Sequence, residues 1–197
     1  DTPDYEQALS SFGELCLKAL SEGETQFTSE QLQKLPDDSA DLILDLGLLI
    51  RGAGTGNSIL RLPKNIIYQP IHKTFLEYFA ALYLSRDLEK RFEANLHYLE
   101  SQFMTRESIT LILKFLAGLL GENASHLFRL RCLSSFQLPA ITLFELLHES
   151  GTTPENVRAL SSILDDEIVT VHSDPIELDG WAGLLAAPDC PIRSLKF

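Results

Sequence analysis

The sequence predicts a mainly α fold: a winged-helix domain with a small β-hairpin, then an α-helical array, then a first leucine-rich-repeat-like unit. Three observations carry this expectation. Three short helical patterns precede two β-type runs that flank a glycine-rich turn. The middle of the chain consists of helix-length amphipathic segments divided by polar or Pro/Gly breaks. Near the C-terminus, strand-like residues recur 26 positions apart (195 − 169 and 197 − 171).

Between Tyr5 and Leu20 the apolar residues Leu9, Phe12, Leu15, Cys16, Ala19 and Leu20 return at helical spacing, and Gly23 is the expected stop. Thr28-Ser-Glu-Gln31 has the form of a capping box opening a short helix through Leu32 and Leu35. Pro36 to Ser39 breaks that helix and caps a third, which carries Leu42, Ile43 and Leu46. Leu48-Leu49-Ile50 and Ile59-Leu60-Arg61-Leu62 then flank Gly52-Ala-Gly54-Thr-Gly56-Asn57, a pattern that reads as a hairpin.

Residues 71–88 are expected to form a helix with a capping box at Thr74 and Glu77. Phe75, Leu76, Tyr78, Phe79, Leu82 and Tyr83 place large apolar groups around most of its circumference, so it should be buried from several sides. Helices follow over about 90–103, 106–120, 123–135, 139–149 and 154–164, with Asn123, Pro139 and Thr153-Pro154 marking starts. Short connections make neighbours antiparallel. Ile168 to Val171 is a strand pattern, and Trp181 to Ala187 has a helical one. Ile192-x-x-Leu195-x-Phe197 has the L-x-x-L-x-L shape of a leucine-rich-repeat strand, and its spacing from Val169 and Val171 falls within that repeat's period. The alternative is a C-terminal strand of no special kind. One repeat cannot bury its own face, so the expectation is a chain that is part of a longer protein.

Composition narrows the function classes. Of 197 residues, 45% are hydrophobic, enough for a real core. The formal charge of −12 repels phosphate backbones and anionic lipid, so no nucleic acid and no membrane are expected as partners. Cys16, Cys132 and Cys190 are widely spaced and form no C-x-x-C, which predicts a reducing, intracellular setting with neither disulfide framework nor zinc site. The N-terminus lacks the basic start and apolar run of a signal peptide.

No active site is legible. Gly52-x-Gly54-x-Gly56 lacks the full G-x-G-x-x-G spacing and is followed by a β-type run instead of a helix. The Walker pattern G-x-x-x-x-G-K-S/T is absent. His148-Glu149 begins like H-E-x-x-H, but Thr152 holds the second histidine position. Asp165-Asp166-Glu167 reads as a solvated turn. Catalytic and metal sites are therefore both expected to be none. A winged helix raises DNA binding, but the segment of the third helix carries Asp37, Asp38, Asp41 and Asp45 and has no basic residue before Arg51. His72 stands out, lying just after Pro70 at the start of a strong helix. An imidazole there can join the unpaired N–H groups in holding an anion, or it can simply cap the helix.

The segment Tyr68-Gln-Pro-Ile-His72-Lys-Thr-Phe75-Leu-Glu77-Tyr-Phe79-Ala-Ala-Leu-Tyr-Leu84 resembles the F-x-H-x-S/T-F-Q-E-F/Y-x-A-A-x-Y-L stretch of NACHT–leucine-rich-repeat (NLR) receptors. Leu111 to Gly121 is similar to the L-x-F-L-x-G-L-L-G helix of the same family, and Phe12 to Leu49 to its winged-helix start. The likeness implies a winged-helix domain over 1–72, a second helical domain over 73–164 and the start of the leucine-rich repeats over 165–197. It further implies that His72 matches the histidine that reaches the β-phosphate of ADP in the closed, autoinhibited receptor. No cofactor is expected in the fragment itself, because the nucleotide-binding domain lies elsewhere; ADP/ATP would belong to the parent protein. The implied partners are the parent's own nucleotide-binding domain and leucine-rich repeats, and other protomers on activation in the cytoplasm. Leu76 departs from the family pattern, where glutamine is common. The alternatives are a winged-helix DNA-binding module and a helical protein-binding adaptor.

Overall fold

A computed structural model describes residues 5–36, 39–52, 66–130, 136, 138–162, 169–170, 182, 186 and 195–196. In chain order the elements are α1 (Tyr5–Ser21), β1 (Phe27–Thr28), α2 (Ser29–Gln33), α3 (Ser39–Asp45), β2 (Leu49–Gly52) and β3 (Ile67–Pro70). They continue as α4 (Lys73–Ser85), α5 (Leu88–Ala94), α6 (Leu96–Leu99), α7 (Arg106–Leu120), a 3-10 turn (Gly121–Ala124) and α8 (Ser125–Phe128). The last are α9 (Ala140–Ser150), α10 (Pro154–Ser161), β4 (Val169–Thr170) and β5 (Leu195–Lys196). Among the described residues the fold is mainly α with small sheets. No helix there is long and apolar enough to cross a membrane.

The chain forms two compact units, Asp1–Tyr83 with His97–Ile112, and Leu84–Leu96 with Leu113–Phe197. The first opens with α1, which ends in a Schellman motif. Gly23 takes φ +74°, its N–H reaches Leu20 C=O, and the Glu24 N–H reaches Ala19 C=O at 2.8 Å. The capping box at Thr28 and Gln31 forms as its spacing requires, with both reciprocal bonds present. The sheet order is β1-β3-β2, all antiparallel. Helix, strand, two helices and two strands with β3 in the centre is the winged-helix arrangement. Phe12 is the hub of its core, with ring centroids 5.7 Å from Phe27 and 5.3 Å from Phe79.

Several expectations require correction. The partner of β2 is Ile67–Pro70, with Leu49 opposite Pro70 and Gly52 opposite Ile67, whereas Ile59–Leu62 lies outside the described residues. Proline is tolerated there because β1 pairs only with Ile67 and Tyr68, so at Pro70 the strand has a neighbour on one side only, as an edge strand does. Helix α4 begins at Lys73, one residue before the expected cap, and stops at Ser85 rather than running through to residue 88. Its burial is less complete than expected: Leu76, Glu77, Ala80, Ala81 and Leu84 are fully buried and Phe79 and Tyr83 nearly so, but Phe75 is 38% exposed and Tyr78 and Leu82 are half-buried. The helix expected over 90–103 is interrupted at Asn95, whose backbone and side-chain N–H groups both bond Arg91 C=O.

In the second unit α10 starts as its sequence dictates. Thr153 accepts from the Asn156 N–H, and Pro154 holds the first turn. Asn123 does not start a helix; it lies inside the 3-10 turn that leads into α8. Pro139 is the N-cap of α9. Phe128, Phe144, Leu147 and Leu160 are buried in this unit. Asn156 is itself completely buried, and its Nδ2 donates to Gly121 and Gly151 carbonyls at 3.2 and 3.1 Å. Strands β4 and β5 pair in parallel, with Val169 opposite Leu195. That register is the 26-residue spacing read from the sequence. Val171 and Phe197 lie outside the described residues, as do most of Trp181–Ala187, of which Ala186 N–H bonds Ala182 C=O at 3.1 Å.

Candidate functional site

Strand β3 and helix α4 are joined by two residues, Ile71 and His72, both exposed. A strand ending in proline followed at once by a helix leaves little freedom, so the imidazole is placed by backbone geometry. His72 C=O accepts the Phe75 N–H at 3.0 Å, which makes His72 the N-cap of α4. Its ring completes the cap. Nδ1 accepts the Thr74 N–H at 3.2 Å and lies 2.7 Å from Thr74 Oγ1. Among the described residues nothing hydrogen-bonds Nε2. The ring therefore satisfies one unpaired N–H of the first turn through Nδ1 and leaves its other nitrogen at the surface, beside the positive end of a 13-residue helix. Large apolar side chains flank it in sequence, with Ile71 at 62% and Phe75 at 38% exposure.

The capping box expected at Thr74 and Glu77 does not form. Glu77 turns inward and is buried, accepting from Ser108 Oγ at 2.8 Å, with Lys73 Nζ 3.4 Å from the same carboxylate oxygen. Lys73 Nζ also donates to Ser108 Oγ at 2.8 Å, and Thr105 Oγ1 donates to it at 3.0 Å. Thr105 in turn accepts the Ser108 N–H and so caps α7. This four-residue network ties the first turns of α4 and α7 together within the first unit. Sequence reasoning missed it. Its signals were the i,i+4 pair Lys73/Glu77 and the Thr-x-x-Ser spacing at 105–108.

The other candidates stay apart. Gly52 ends β2, and the remaining glycines of that run lie outside the described residues. His148 and Glu149 are exposed near the end of α9, and among the described residues no group of His, Cys, Asp or Glu could hold a metal. Asp165–Glu167, Cys132 and Cys190 lie outside the described residues. Cys16 is completely buried, and burial pushes its thiol well above the ordinary value, so it is a small core residue and not a nucleophile. A scan against models of known protein families finds no match, and no curated protein matches the chain.

Proposed function

We propose that this chain is a regulatory and scaffold piece of an NLR-type receptor, a nucleotide-gated switch working in the cytoplasm. In this reading His72 helps to hold the closed, ADP-bound state, and the helical array links the nucleotide-binding domain to the leucine-rich repeats. The observation that carries it is the His72 geometry: an exposed ring at a helix N-terminus, with one nitrogen engaged by the cap and the other unengaged, inside the segment with the strongest family likeness. The winged-helix strand order and the parallel pairing of Val169 with Leu195 support the same reading. The mechanism is a population shift. A contact made to ADP only in the closed state favours that state by its own free energy and no more.

Two measurements test it. A P-loop is expected within about the preceding few hundred residues of the longer protein, since a Walker motif is what cradles the phosphates. Its absence ends the NLR reading. In that longer protein His72→Ala should lower the ADP retained through purification and raise basal oligomerisation. Unchanged ADP content removes His72 from the switch.

A further inference from the structure

We draw no further inference here: the strongest candidate, the groove between α1 and α2 closed at one side by Tyr98, mixes Lys18 and Lys34 with Glu14 and Glu22, so its charge selects no partner, and nothing in the structure shows what covers it.

Discussion

Glu77 is a carboxylate with 2% side-chain exposure, held by an ammonium whose side chain is 40% exposed. Burying such a group is costly unless donors replace the lost water. Because the Lys73 side chain is more than a third exposed, solvent screens much of its attraction. The Ser108 hydroxyl, itself buried, should carry more of the stabilisation. Ser108→Ala is therefore expected to cost about 1–3 kcal/mol, the penalty for stripping a buried acceptor of its donor. Lys73→Ala should cost less than about 1 kcal/mol. Denaturant midpoints compare the two, and a larger loss for Lys73→Ala would show that the ion pair dominates. The same residues explain why the sequence misled at this point. Thr74 and Glu77 have capping-box spacing, but the N–H that a capping Glu77 would have to reach is already taken by His72 Nδ1. The buried Ser108 then draws the carboxylate inward. Spacing alone does not reveal which of two competing partners is nearer.

At the scale of elements, α1 meets α4 at Gly13. A Cβ there would collide with the Phe79 carbonyl oxygen and come within 2.7 Å of Tyr83 Cβ. Two effects oppose each other in Gly13→Ala. Alanine is favoured over glycine inside a helix by about 1 kcal/mol, while forcing extra volume into a packed contact costs about 1–3 kcal/mol. The nearest atom belongs to the backbone of a buried helix and cannot rotate away, so the clash should win and unfolding should shift to lower denaturant. A stabilised variant would mean that α1 and α4 can move apart cheaply. Which elements were legible follows from how far their causes reach along the chain. The box at Thr28, the Thr153-Pro154 start and the Gly23 stop are set within a few residues, and each appears in place. Strand β3 was illegible because four residues ending in proline give almost no period, and its partner Leu49–Gly52 lies well back along the chain. Strand β1, two residues long, owes its pairing entirely to β3. The Val169–Leu195 pairing is the exception among long-range features. It could be read because two similar strand-like patterns stand a fixed distance apart in the sequence.

At the scale of the whole molecule, the sign of the charge decides between two uses of a winged helix. A DNA-reading version places its third helix in the major groove and draws most of its affinity from phosphates neutralised by Lys and Arg. Here that helix is α3, whose Asp41 and Asp45 are exposed, on a chain of net charge −12. Every phosphate approached would meet repulsion, so the counterion release that drives such complexes has no source. A reader making about six phosphate contacts would show a log–log salt slope near −5. This chain should show no duplex binding even at low salt, where any electrostatic attraction is strongest. A mobility-shift titration from low to physiological salt measures this directly. A complex that weakens steeply with salt would mean that cations elsewhere on the chain outweigh α3 locally, and it would favour the DNA-binding alternative over the switch. A weak complex insensitive to salt would not, since phosphate contacts without salt dependence are not available to a protein in water.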